Sequence, residues 1–404
     1  MSERPWVLWG AELSPFALKV EALLRFTGVP FRWLPRSGGC LEAHRCHLRR
    51  ARVVSGRLPV SWPRMTELDE FPLVPFLFGP EGENLYDSSA IAAWLDRHAP
   101  GAQARGAPLV PAGDPALRFA IRLVDEALDE VGLYLVHHNR WVVAARDNDA
   151  GVRLAREMRP LLGPLAPLLG RKFPARQVRR LPYLFSVAPA GTTAWDDLPA
   201  RLRPPARVGF PPTHELLEQA FSELLAAVEP VLSARSYLFG DRLTLADAAV
   251  YGQLGMNRSD PSAWAWIRRD APATAEWIAR LARGDFGGRG SESGLALEDA
   301  VAPLLAWVCR TFVPLMQQNR DAYERHRASG EPRFNEAAFR RGRALYEGTL
   351  LGRPFRHVAK SFQVRVWSDL RAEWDALDAA DRARLTSLLP GAHGLDRDGR
   401  APAR

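Results

Sequence analysis

Along the first hundred residues the apolar positions change period several times. Trp6 to Gly10 is a short apolar run suited to a strand, and from Ser14 to Phe26 apolar residues return at helical spacing. Phe16, Val20, Leu23 and Leu24 share one face of that helix, and Gly28 stops it. Val29 to Leu34 predicts a second strand. Strand, helix and strand within about thirty residues make a βαβ unit, whose crossover should be right-handed. A long polar stretch runs from Arg36 to Phe71. Beyond it, Val74 to Phe78 and Asn84 to Tyr86 are short strands separated by Gly79-Pro80-Glu81-Gly82, a turn-rich tetrapeptide suited to a hairpin. Ser88 to His98 then returns to helical period, with Ile91, Trp94 and Leu95 on one side. The order βαβ then ββα is that of a thioredoxin-like domain, ending near a Gly/Ala/Pro linker from Pro100 to Pro108.

The remainder is patterned for helices. Asp114-Pro115 is a helix start, and Leu117, Ile121, Val124, Leu128, Val131 and Leu135 follow at alternating four and three spacings. A second amphipathic helix follows Thr213, with Leu217, Phe221, Leu224 and Val228 on its stripe. Between them, Arg171 to Pro212 is rich in Pro and Arg and predicts an irregular surface excursion, a candidate lid. Thr244-Leu245-Ala246-Asp247 has the form of a capping box opening a central helix, a structural role. Gly284 to Gly294 is a Gly/Ser-rich linker: no strand precedes it and no Gly-Lys-Ser/Thr ends it, which argues against a phosphate loop. Leu297, Val301, Leu304, Val308 and Phe312 predict one more helix, and Val358, Phe362, Leu370 and Trp374 another. The residues after Pro390 are predicted to be disordered.

Composition narrows the function classes. A 404-residue chain with 47% apolar and 25% charged residues has room for two or three soluble domains. Met1 to Trp9 carries Glu3 and Arg4 and no apolar core of a secretory signal. The most apolar stretch, Val301 to Met316, holds Arg310 and stays below the ~18 uninterrupted apolar residues of a membrane span. A cytoplasmic protein with no membrane partner is expected. The three cysteines, Cys40, Cys46 and Cys309, cannot make a disulfide framework. Cys40, His44, Cys46 and His47 cluster without a zinc spacing, so no metal is assigned. The net charge of +8 comes almost wholly from arginine, Lys19, Lys172 and Lys360 being the only lysines. The basic runs Arg45 to Arg52 and Lys172 to Arg180 lack aromatic interleaving, so they read as solvated faces rather than a nucleic-acid surface.

The chemistry-bearing segment is Glu12-Leu13-Ser14-Pro15-Phe16-Ala17-Leu18-Lys19-Val20, at the corner between first strand and first helix. Taken alone, Ser-Pro there is a good helix start. Leu73-Val74-Pro75-Phe76-Leu77, Tyr86-Asp87-Ser88-Ser89-Ala90-Ile91 and Leu243-Thr244-Leu245-Ala246-Asp247 follow in order. With these four motifs the chain resembles the glutathione transferase superfamily over about residues 6 to 282. The resemblance implies an α/β thioredoxin-like N-terminal domain followed by an all-α glutathione transferase C-terminal-like domain with extra helices. The expected division is a glutathione-binding domain at 1–103, a helical substrate domain at 104–285 and a helical extension with a disordered tail at 286–404.

By that resemblance Ser14 is the catalytic residue, pointing at the sulfur of glutathione, which is a co-substrate. Pro75 is cis, so that the backbone at Val74 pairs with the cysteinyl part like an added strand. Asp87 and Ser88 hold the γ-glutamyl ammonium and carboxylate. Phe16 belongs to the same site, and Tyr134, His138 and Trp141, with His137 beside them, stand where the first long helix should line the pocket for the second substrate. A hydroxyl and a helix N-terminus favour the thiolate over a thiol with a free pKa of ~8.5. Serine rather than cysteine disfavours thiol exchange, because a hydroxyl forms no mixed disulfide.

Leu73 departs from the lysine that many relatives carry there for the glycyl carboxylate, with Arg57 and Arg64 as the substitutes to hand. The expected function is conjugation of the glutathione thiolate to a small-molecule electrophile, as in detoxification. The alternative is a non-catalytic scaffold of the same fold that binds a partner. The resemblance also implies a homodimer, and the extension is long enough to cover that surface; the sequence does not choose between the two.

Overall fold

The computed structural model describes residues 5–61, 74–98, 108–287, 294–391 and 393–396. Arg64, Phe71, Leu73 and nearly all of the Pro100 to Pro108 linker lie outside the described residues, as does part of the Gly284 to Gly294 run.

β1 (Trp6–Trp9), α1 (Pro15–Thr27) and β2 (Phe31–Leu34) form the βαβ unit, with β1 and β2 parallel. Gly28 ends α1 in the left-handed conformation (φ 69°), donating back to Arg25 and Leu24 carbonyls. α2 (Cys40–Val54) follows, and its basic run is solvated only in part: Arg45 and Arg52 are exposed, whereas Arg49 donates to Asn84 and to the Gly79 and Glu83 carbonyls and Arg50 lies over the Phe76 ring. β3 (Phe76–Phe78) and β4 (Asn84–Tyr86) complete a four-stranded sheet in the order β2-β1-β3-β4, β3 lying antiparallel to both neighbours. Both faces of β3 and β4 are buried, which explains their continuous apolar or amide character instead of alternation. α3 (Ser88–His98) closes this thioredoxin-like domain.

The helical domain begins at α4 (Pro115–Ala127), capped by Asp114, whose carboxylate accepts from the Leu117 amide at 3.0 Å. The helix then widens into π-type turns at Leu128–Gly132 and Asn139–Val143 around α5 (Leu133–His138). α6 (Ala150–Leu162) and α7 (Ala166–Arg180) pack as a pair. Here the expected excursion is corrected: residues 171–180 are helical despite Pro174, and the irregular path starts at Leu181. The reason is packing, since Ala175 and Val178 are buried and Gly151 of α6 lies against Gly170 of α7.

α8 (His214–Ala234) and the central α9 (Leu245–Met256) follow, then α10 (Pro261–Asp270) and α11 (Pro272–Ala282). α9 is buried on every side, and its capping box forms: the Asp247 carboxylate accepts from the Thr244 amide and hydroxyl and from the Leu238 amide. α9 packs on α1 through Gly252, where a Cβ would meet the Pro15 carbonyl oxygen at 2.5 Å.

The extension is not an appendage. α12 (Ala302–Ala328) packs on α4 and α8, and the Trp307 indole donates to the Ala220 carbonyl at 2.9 Å. α12 lies in the stretch Asp299–Ala328, which by length and composition is apolar enough to cross a membrane, but most of that apolar window is buried in the fold. After α13 (Glu336–Arg340) comes a hairpin, β5 (Leu345–Leu350) and β6 (Arg353–Val358), which the sequence pattern did not announce. Val358, expected in a helix, is therefore the last residue of β6; α14 runs Ser361–Asp375 and α15 Ala379–Thr386. The expected disorder after Pro390 is corrected for 393–396: Leu395 and His393 are buried, and Gln317 donates to the Gly394 carbonyl.

Candidate active site

A cleft of about 220 Å³ lies where the thioredoxin-like domain, the α4–α5 helix and the extension converge. Phe16, Val74, Pro75, Asp87, Ser88 and Tyr134 all line it. The Val74–Pro75 peptide, just ahead of β3, is cis, and Val74 is exposed. Asp87 has φ 68°, a left-handed conformation for a residue with a side chain, and its carboxylate caps α3 by accepting from the Ala90 amide at 2.9 Å.

Ser14 occupies the N-cap of α1, its hydroxyl oxygen accepting from the Ala17 amide at 3.4 Å. Among the described residues it is not part of the cleft lining, although Phe16, two residues on, is. His138 and Trp141 also lie away from the lining. His138 is buried against Ser186 (Nδ1 to Oγ, 2.8 Å) and Glu218, and burial depresses its basicity. Trp141 packs edge-on to Phe173 in a separate cluster with Leu13 and Leu154. The π-type turn at Asn139–Val143 rotates the helix between Tyr134 and Trp141, so residues that straight helical spacing would align face different sides.

Beneath the cleft is a buried charge network. Lys19 Nζ lies 2.5 Å from Asp125 and 2.7 Å from Asp129, and donates to Ser89 at 3.0 Å. Ser88 donates to Asp129 at 3.3 Å and Ser89 to Asp125 at 2.7 Å, so the first turn of α3, α1 and α4 are joined by one set of polar contacts. Burial works against the Lys19 cation, but the two carboxylates more than offset it and raise its pKa. With one cation shared by two acids, Asp129 is pushed up to about 7 by burial, against the pull of Lys19 and with the charge of Asp125 adding to the rise. Glu126, also in the lining, is raised by burial despite Arg122 at 3.2 Å.

The opposite wall was not foreseen from sequence. Arg180, Tyr183 and Leu184 come from the end of α7 and the irregular segment, and Lys360, Phe362 and Gln363 from the start of α14. Arg180 is tied to Glu336 at 2.9 Å. Gln363 donates to Glu130 at 2.8 Å and to the Tyr134 hydroxyl at 3.0 Å. One signal in the sequence does mark this wall: of three lysines among 54 basic residues, Lys19 and Lys360 are buried and Lys172 is exposed. Where arginine supplies nearly all positive charge, a buried ammonium marks a site that takes a point charge. Among the described residues no group of three His, Cys, Asp or Glu side chains is placed to hold a metal ion.

A thioredoxin-like domain with a cis-proline ahead of β3, facing an all-helical domain across a cleft lined by polar and apolar side chains, defines a two-domain class of protein. Residues 13–98 match the glutathione S-transferase N-terminal domain family and residues 212–285 the glutathione S-transferase C-terminal domain family. The chain belongs to the glutathione S-transferase superfamily.

Similar solved structures include a glutathione transferase from Phanerochaete chrysosporium, 18% identical with a TM-score of 0.43, covering 70% of this chain and 99% of that one. A glutathione S-transferase from Methylobacterium radiotolerans, in complex with glutathione sulfonate, is 21% identical over 73% of this chain and 96% of its own, with a TM-score of 0.35. One from Methylobacillus flagellatus, with glutathione bound, is 18% identical over 69% and 95%, at 0.34. The family assignment rests on the two domain matches. No curated protein matches the chain.

Proposed function

We propose that the chain binds glutathione in this cleft and conjugates its thiolate to a small electrophile, in the cytoplasm. The observation that carries this is the convergence of the cis Val74–Pro75 edge with Asp87 and Ser88 on one cleft. An extended tripeptide laid along Val74 pairs with backbone there. Its γ-glutamyl end then reaches Asp87 and the N-terminus of α3, an anion-favouring end. The left-handed backbone at Asp87 adds to this, since such conformations gather at functional sites.

Ser14 is the proposed thiolate donor. Its oxygen accepts from the Ala17 amide, which leaves the hydroxyl proton to be donated outward. A charge-assisted hydrogen bond of ~1.5–3 kcal/mol is enough to lower a thiol pKa by one to two units.

The test is retention on immobilised glutathione and turnover with a generic aryl halide, for wild type and Ser14→Ala. Wild type is expected to be retained and active. Ser14→Ala is expected to lose ten- to hundredfold in turnover while losing only ~1 kcal/mol of stability as a cap. Equal turnover in the variant removes Ser14 from the chemistry. Retention of the wild type without turnover, or no retention, favours the second reading, a non-catalytic partner-binding scaffold. That reading has its own observation, namely that Ser14 is engaged as a helix cap and lies outside the described lining.

A further inference from the structure

Lys360 lies two residues past β6 at the N-cap of α14, and its backbone is clamped at two points by the buried Asn319 of α12. Asn319 accepts from the Lys360 amide at 2.8 Å and donates to its carbonyl at 2.9 Å. The residue is 7% exposed, and its side chain reaches the cleft. Nζ donates to the Tyr134 hydroxyl at 2.6 Å and stands 4.7 Å from the centre of the Tyr134 ring and 4.6 Å from that of Tyr183. No carboxylate among the described residues forms an ion pair with it.

The neighbouring charged groups are engaged elsewhere, though Lys19 serves two acids and Glu130 is met by a neutral amide. Asp129 shares Lys19 with Asp125, Glu126 faces Arg122, Asp87 lies 4.0 Å from Arg365, Glu130 accepts from Gln363, and Arg180 is held by Glu336. His357, packed on the same rings, is kept neutral by burial and by the charge of Lys360. A buried ammonium that donates to a phenol, lies over two rings and forms no ion pair among the described residues carries a desolvation cost, which an anion entering the cleft would offset. The first turn of α14, which brings Phe362 and Gln363 into the lining, adds the positive end of a helix at the same place. Phe16, Leu133, Leu184 and Phe362 supply an apolar floor beside it.

We propose that Lys360, with Tyr134 beside it, is a carboxylate-binding subsite contributed by the C-terminal extension, for a substrate that joins a carboxylate to an aromatic or branched apolar body. The subsite shares the cleft proposed for glutathione but can be tested without it. Calorimetric titration of the full-length protein with phenylacetate and with phenylacetamide compares one shape with and without the anion. The acid is expected to bind at least tenfold more tightly than the amide. Lys360→Gln should abolish that preference, and Lys360→Arg should keep part of it.

Equal binding of acid and amide to the wild type overturns the proposal, and so does a preference that survives in Lys360→Gln. The wild-type comparison decides without any variant should Lys360→Gln fold poorly. A parallel glutathione titration separates the source of the anion. If wild type shows no acid preference but Lys360→Gln weakens glutathione tenfold, the bound carboxylate is glutathione's own. An intact acid preference with no glutathione binding removes the proposed co-substrate and leaves the subsite standing.

Discussion

Lys19 of the first domain is paired with Asp125 and Asp129 of the second, all three buried. Lys19→Met leaves Asp125 and Asp129 buried without their cation, and breaking a buried pair costs roughly 3–5 kcal/mol. Urea unfolding is expected to show a loss of that order; a change below ~1 kcal/mol would mean that the two acids are not charged in the fold. Glu157 of α6 gives a pH prediction. It accepts from the Glu12 amide at 3.0 Å, and burial lifts it from 4.5 to about 7 against the pull of Arg36, Arg153 and Arg140.

A carboxyl raised by folding contributes stability that is present below its unfolded pKa and lost as pH rises through the folded one. Glu157→Gln, which mimics the protonated form, should therefore gain stability relative to wild type as pH rises from about 4.5 to about 7. Buried histidines work in the opposite direction: His137 and His214 are held down to about 3 by burial, so their contribution fades as pH falls from 6.5. The measurement is thus the difference between wild type and variant, in which the histidines cancel; a pH-independent difference would show that Glu157 titrates normally.

At the scale of elements, the position of α1 decides the proposed chemistry, since it carries Ser14 at its start, and α9 sets that position. Gly252 lets the two helices approach, with the Pro15 carbonyl 2.5 Å and the Lys19 Cβ 2.9 Å from where a Cβ would stand. Gly252→Ala must push α1 away, and overpacking of this kind costs typically ~1–3 kcal/mol. It should also displace the corner that holds Ser14, so turnover falls more than glutathione affinity, which the proposed function places on Val74, Asp87 and Ser88. Unchanged kinetics with full stability would show that the contact has slack. The π-type turns are the other element-scale device. They keep the α4–α5 helix continuous while turning Tyr134 to the cleft and Trp141 to a separate core.

Across the whole molecule, one apolar core runs from Trp6 to Leu395, so the extension shares its interior with the helical domain. Trp374 lies 5.2 Å from Phe119 of α4, and Arg384 of α15 pairs with the Asp114 cap at 2.7 Å. A chain ending at residue 293 would expose the faces of α4 and α8 on which α12 and α14 rest. We expect it to be insoluble or to melt well below the full chain, and the full chain to unfold in a single transition. A soluble 1–293 fragment with the full-length melting temperature would contradict this. The extension also walls the cleft, so the same fragment, if recovered, should bind phenylacetate and phenylacetamide alike.

The local order of the chain was legible because it depends on near neighbours. The βαβ and ββα periods, the Gly28 stop, the Asp114 and Thr244 starts and the cis proline after Val74 all follow from contacts a few residues apart or from motif order. Helix 171–180 was missed because buried Ala175 and Val178 outweigh Pro174, a balance set by α6. The β5–β6 hairpin was hidden because Arg353 to His357 reads as charged and irregular until it is packed against Phe185 and Tyr183.

What only the tertiary structure decided is the far wall of the cleft. Tyr134 and Lys360 are brought to 2.6 Å across 226 positions of chain, and no periodicity or motif spans that distance. Sequence alone set the elements of the first domain through local backbone preference, and motif order brought Phe16, Val74, Pro75, Asp87 and Ser88 to the near side of the cleft. The far side depends on burial, because a lysine among arginines acquires a role only once packing has removed its water.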